Sequence, residues 1–285
     1  MIICAIWGGA FPAIKYLLNW LSPLQLVKLR YILATPFFLT VLLFKDRKSL
    51  IEIKNNYKTS LLIAAFFGVI GYNLSLAWGE LRIPSGTASL IINLSPIFTL
   101  ILAVLFLKEP ITVRKTVGMI VSFVGLILLI HLGASSNETL DYYLYALITL
   151  LAPMSWAIFT VASKNLSKRF DSLTVTGLTI VIGTIPLFFT IGPADRTALQ
   201  RMPLAAWGSL LFLSYLSTCI GYSVWVWALR RLPSSQVASF VYLIPLFSLI
   251  LSFFFLGEKI SLLTAMGALT LMSGVYIVNR TKTNQ

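Results

Sequence analysis

Ten times along its length this chain runs for about twenty residues with almost no charge, at 2–20, 24–44, 60–80, 84–107, 112–131, 142–163, 173–191, 204–229, 234–256 and 262–278. A helix of roughly that length crosses a hydrocarbon core of about 30 Å. Hydrophobic residues make up 58% of the chain and charged residues only 11%, too little polar material to cover a soluble globule. The expected fold class is therefore an all-α integral membrane protein of ten transmembrane helices solvated by lipid. Connections are short, and the longest polar one, 45–59, reads as a surface loop. The chain enters its first apolar run with no basic start and no small-residue cleavage site, so no cleavable signal peptide is expected.

The formal net charge of +13 raises the question of a nucleic-acid partner, and the placement of the basic residues argues against one. With the N-terminus inside, the inner connections hold fifteen Lys and Arg, among them Lys45, Lys164, Arg230 and Arg231, against four outside, Arg82, Arg196, Arg201 and Lys259. This is the positive-inside pattern. It predicts a cell (plasma or inner) membrane protein with both termini cytoplasmic and basic loops facing anionic headgroups.

The stretch LSPIFTLILAVLFLKE, 94–109, returns as LIPLFSLILSFFFLGE, 243–258. Aligning Pro96 with Pro245 fixes an offset of 149, which also pairs Glu109 with Glu258, Gly118 with Gly267, Gly125 with Gly274, Trp7 with Trp156, Lys15 with Lys164 and Pro84 with Pro233. Tyr72 and Tyr222 match after a one-residue slip. The halves, 1–132 and 142–280, each hold five helices. Because five is odd, the second enters the membrane from the opposite side, and such inverted repeats recur in secondary transporters that expose a midplane site alternately to the two sides. Six residues precede Trp7 where fourteen, 142–155, precede Trp156. A late chain start is the favoured reading, beside a short helix that thins the bilayer.

Pro96 and Pro245 each remove a backbone donor, so both are expected to kink their helices and free the carbonyls of Ile92 and Val241, as gates or for packing. Glu109 and Glu258 precede the fifth-type helices, where a carboxylate caps a helix start, with gating as the alternative. The glycines seven apart allow close helix approach. Intramembrane charge is confined to Lys15, Lys28 and Arg30. These either snorkel or pack, or else Lys15 and Arg30 attract the carboxylate of a solute. On the fourth helix Ser89, Asn93 and Pro96 share a face, as do Ser235, Ser239 and Tyr242 on the ninth. With Tyr72, Asn73, Tyr222 and Trp156 they form a candidate cavity lining, or else bind helix to helix. Trp78, Trp225 and Trp227 fall near helix ends and read as an interfacial belt.

Taken together, Trp7, Gly8 and Lys15, then Pro23 and Arg30, then in each half a Pro, a Glu and a Gly-rich helix, resemble the ten-helix EamA-type members of the drug/metabolite transporter superfamily. The resemblance implies a basket of helices around a central cavity, lined by the third, fourth, eighth and ninth with parts of the first and sixth. It implies efflux of small metabolites, often amino acids, and no particular substrate. Lipophilic drugs or cations are the alternative cargo, although no Asp or Glu lies near the middle of a span. A channel or non-transporting scaffold is a further alternative. An enzyme is not expected: nucleophile and phosphate-loop motifs are missing, His131 is the one histidine, and Cys4 and Cys219 sit within spans. The same reading expects no disulfide, metal or cofactor, a lipid bilayer and a small molecule as partners, and a monomer sufficient to enclose the cavity.

Overall fold

The computed structural model describes residues 2–107, 140–232, 234–257 and 262–279, with isolated positions between 113 and 128. Nearly everything described is helical: α1 (Ile2–Leu17), α2 (Pro23–Leu43), α3 (Arg47–Asn56), α4 (Lys58–Gly79), α5 (Ser85–Ile92), α6 (Ser95–Leu107), α7 (Leu140–Ser167), α8 (Ser172–Phe188), α9 (Pro193–Arg201), α10 (Leu204–Arg231), α11 (Ser234–Ser239), α12 (Ile244–Leu256) and α13 (Leu262–Asn279). By length and composition five spans among the described residues can cross a membrane: α2, α4, the α5–α6 pair, α7 and α10. The α8–α9 pair, bent by 107°, makes a sixth if it is one span. The α1 helix has 16 residues and α7 28, as the unequal lead-ins to Trp7 and Trp156 anticipate. Most of the 112–131 run, Glu109 and Glu258 lie outside the described residues.

Local chemistry sets the ends of the helices. Ser22 caps α2 reciprocally with Gln25, and Asp171, 149 residues on, caps α8 by accepting from the amides of Leu173 and Thr174. The expected loop at 45–59 is instead a helix. Asp46 caps α3 through the amides of Lys48 and Ser49, Ile53 is fully buried, and Glu52 pairs with Arg169 at 3.0 Å. Three side-chain anchors outweigh a polar sequence that by itself predicts no core contact. The α5 helix stops at Ile92, two residues of turn follow, and α6 starts with Pro96 in its first turn. Pro245 likewise stands in the first turn of α12, after a single 3-10 turn at Phe240–Leu243. Each proline therefore follows a helix break, where its missing N–H removes no bond.

The two lysines of the repeat do the same work. Lys15 donates to the carbonyls of Glu80 and Ile83 at the end of α4, the latter at 3.1 Å. Lys164 donates to those of Leu229 and Leu232 at the end of α10, at 2.6 and 2.8 Å. All three partners are offset by 149. A cation at a helix C-terminus satisfies orphan carbonyls and opposes the macrodipole, so Lys15 is committed to a helix end and does not line the central cavity described below. Three further pairs at this offset touch each other: Trp7 with Trp156, Thr35 with Thr184 and Asn73 with Tyr222.

Lys28 does not snorkel. It is buried, pairs with Asp195 of α9 at 2.6 Å and donates to the Thr190 carbonyl at 2.8 Å, which holds the α8–α9 bend against α2. At the opposite end Lys45 pairs with Asp171 at 2.8 Å. Burial alone would raise the Asp171 carboxyl, but the bonds from Lys45, Thr174 and the Leu173 amide outweigh it and hold the group at about 2.

Two outcomes follow. Lys15→Met and Lys164→Met should each lower the thermal unfolding midpoint in detergent by several degrees, since a charged hydrogen bond is worth about 2 kcal/mol; unchanged midpoints would show that the carbonyls need no cation. A folded carboxyl below its unfolded value stabilises above that value and loses the contribution as pH falls through both. The midpoint gap between wild type and Asp171→Asn should therefore be full at pH 7 and shrink as pH drops from 4 toward 2, and a gap constant with pH would rule the ion pair out as its source.

Candidate functional site

The site begins with two irregular turns. Within α4, residues Phe66–Gly71 form a π-helical segment, and within α10 so do Phe212–Ile220. A π turn widens the ladder and leaves carbonyls for other donors. Asn73 takes two of them, its Nδ2 donating to Gly68 O and Val69 O at 3.0 Å each. The Tyr222 hydroxyl donates to Gly68 O at 2.8 Å, and Trp7 Nε1 to Ser217 O at 3.0 Å. Glycine is required at 68, because a Cβ there would lie 2.6 Å from the Phe159 ring.

Into this frame α2 delivers Arg30, buried with 3% of its surface exposed. Its Nε donates to Thr218 Oγ1 at 2.8 Å, Nη1 to Asn73 Oδ1 at 3.0 Å and Nη2 to Ser217 Oγ at 3.1 Å. All three acceptors are neutral. Among the described residues no carboxylate comes within ion-pair distance of Arg30, in contrast to Lys28 with its Asp195. A guanidinium carries five N–H donors, so two remain beyond these bonds. Asn73 completes the layer by donating to the Tyr31 hydroxyl at 2.7 Å, and the Tyr31 and Tyr222 hydroxyls meet at 2.9 Å. Because Tyr222 spends its proton on Gly68, Tyr31 is the donor between them.

Arg30, Trp7, Tyr72, Ser95, Trp156 and Tyr222 line a central cavity of about 30 Å³. That holds water but falls far below the roughly 300–1,000 Å³ of ligand pockets, so this conformation is closed. Trp156 is the hub of the wall, with ring centroids 5.0 Å from Tyr72 and 5.3 Å from each of Trp7, Tyr222 and Trp225. The hydroxyl of Ser95 and both amide atoms of the fully buried Asn93 have no hydrogen-bond partner among the described residues.

Of the residues singled out in the sequence, Tyr72, Trp156, Tyr222 and Arg30 converge on the cavity, with Asn73 immediately behind. Ser89 is buried off the lining and bonds the Gly86 carbonyl at 2.6 Å. Ser239 and Tyr242 end α11 and occupy the 3-10 turn, and their side chains lie outside the described residues. Trp225 departs from its expected place in an interfacial belt: it is buried and stacks on Trp7 at 5.4 Å. Sequence reading missed Tyr31, Ser217 and Thr218. The cluster Ser214, Ser217, Thr218 in an apolar run was the available signal, since buried hydroxyls in a span imply a polar neighbour.

Comparison with known proteins gives a consistent picture. An Archaeoglobus fulgidus protein described as an uncharacterized transporter is 34% identical over 274 residues, 96% of this chain and 95% of its own. A Streptantibioticus cattleyicolor protein named a probable terminal-alkyne amino-acid exporter is 28% identical over 277 residues, 96% of this chain and 90% of its own. A solved crystal structure shares the fold with a TM-score of 0.64 at 15% identity, over 97% of this chain and 94% of its own. The EamA-like transporter family matches twice in succession, at residues 1–131 and 143–280. The chain belongs to the EamA-like transporter family.

Proposed function

We propose that this protein is a secondary transporter of ten helices in two inverted five-helix repeats, which exports small carboxylate-bearing metabolites, amino acids first among them, by alternating access. The observation that carries this reading is Arg30: a buried guanidinium whose hydrogen-bond partners among the described residues are all neutral, on the wall of the central cavity. Charge inside a membrane protein marks a substrate path, and a planar guanidinium with two spare donors matches a carboxylate. The aromatic wall suits an apolar or aromatic side chain, and Ser95 on the lining offers an acceptor for an ammonium group. A cationic drug, by contrast, would meet an unneutralised positive charge. The recurrence of the lysine-capped helix ends and the self-contacting pairs at one offset support the repeat. The exporter name of the Streptantibioticus cattleyicolor relative supports direction and cargo. In this reading both termini face the cytoplasm, the protein works in the cell membrane, and one chain suffices.

The reading is tested in liposomes with L-phenylalanine as the probe. Losing a charged hydrogen bond of about 1.5–3 kcal/mol predicts a flux at least tenfold lower in Arg30→Gln, with Arg30→Lys between the two. Full flux in Arg30→Gln would refute the anchor. Asn73→Ala should lower both flux and thermal midpoint, because it removes one partner each from Arg30, Tyr31 and the Gly68 carbonyl and the side-chain donor of the Val69 carbonyl; a drop in flux at an unchanged midpoint would make Asn73 a substrate contact and not a support.

A further inference from the structure

Two more hollows lie in series beside the central cavity, the first adjoining it and the second adjoining the first. The first, about 290 Å³ and mainly apolar, lies between the start of α1, the end of α10 and α11–α12, and it shares Trp7, Val241 and Ile244 with the central cavity. The second, about 530 Å³, opens beside the start of α8 and shares Val224 and Trp227 with the first. Arg230 and Arg231 line this outermost hollow, and the Arg231 guanidinium lies 4.0 Å from the centroid of the Trp227 ring. The acid on its rim, Asp171, is paired with Lys45, which leaves the mouth basic.

We propose that these three hollows are one loading route from the cytoplasmic face, taken by the apolar body of a carboxylate-bearing solute, with Trp7 as the partition before Arg30. The route rests on the carboxylate reading above and on the cytoplasmic placement of Arg230 and Arg231. Its chemistry is graded. A basic mouth gathers anions. The middle hollow, walled by Trp7, Trp225, Trp227 and Phe240, accepts an apolar or aromatic body. The partition is one side chain held by one hydrogen bond, Nε1 to Ser217 O, and by the Trp156 and Trp225 rings. Gly221 makes room for it, since a Cβ there would fall 2.4 Å from Trp7 Nε1. Val241 and Ile244, the other half of the partition, lie within the 3-10 turn and immediately after it, where the wall changes helix type before Pro245.

Cys4 lines the middle hollow and is one of two cysteines, so Cys219→Ser leaves it as the sole thiol. The membrane-impermeant anionic reagent sulfonatoethyl methanethiosulfonate should label Cys4 in inside-out vesicles and not in right-side-out ones. Replacing Arg230 and Arg231 by Gln should slow labelling at least about fivefold, on the scale of local electrostatic steering, and L-tryptophan should slow it as well. Labelling indifferent to the two arginines overturns the route. So does failure to label both Cys4 and a Val224→Cys replacement at the mouth while membrane-permeant N-ethylmaleimide reacts, which would mark the hollow as a lipid-filled groove. The Arg30→Gln variant separates the two ideas. Lost flux without cytoplasmic labelling refutes the route and keeps the anchor, whereas normal labelling with undiminished flux keeps the route and refutes the anchor.

Discussion

A buried guanidinium is costly, and the arrangement around Arg30 holds one that has no counter-ion among the described residues. Neutral acceptors supply hydrogen bonds and leave the charge in place. Two of those acceptors, Ser217 and Thr218, sit where α10 departs from α-helical geometry at Phe212–Ile220. The matching segment in α4 frees the carbonyls that lock Asn73. Two widened turns, one arginine and one asparagine are thus a single device. A carboxylate paired to Arg30 would neutralise it, as Asp195 neutralises Lys28.

The scaffold and the site differ in symmetry. At the offset of 149 the helix caps, the lysine anchors and the Trp7–Trp156 contact recur almost residue for residue. The polar network does not, for Arg30 corresponds to Thr179, Tyr31 to Ile180 and Asn73 to Tyr222. Positions that hold helix ends together face the same physical demand in both copies and keep the same residue types. Positions facing the cavity differ between the copies, and only the first copy carries the charge.

How much of this was legible in the sequence follows from the range of each interaction. Apolar runs and the 149 offset are local or periodic signals, and they located most of the described helices and four of the cavity-lining side chains, whereas Pro96 and Pro245, expected to kink continuous helices, stand in first turns after breaks. The π segments carry no local signature, so the partners of Arg30 stayed hidden, and Lys15 was weighed as a ligand when its partners lie 65 and 68 residues away. Trp225 sits near a helix end, yet it turns inward because Trp7 and Trp156 offer it a stack. Helix α3 looked like a loop because its stability comes from a cap, one buried isoleucine and an ion pair to a distant residue.

The most direct measurement of the central claim compares ligands that differ only in the group meant for Arg30. Thermal stabilisation of the detergent-solubilised protein by L-phenylalanine, L-phenylalaninamide and phenethylamine isolates the carboxylate, because a ligand that binds the folded state raises the midpoint with concentration. The account predicts a shift for the acid alone in the wild type and for none of the three in Arg30→Gln. Equal stabilisation by the amide and the amine, or an acid response that survives Arg30→Gln, would contradict it.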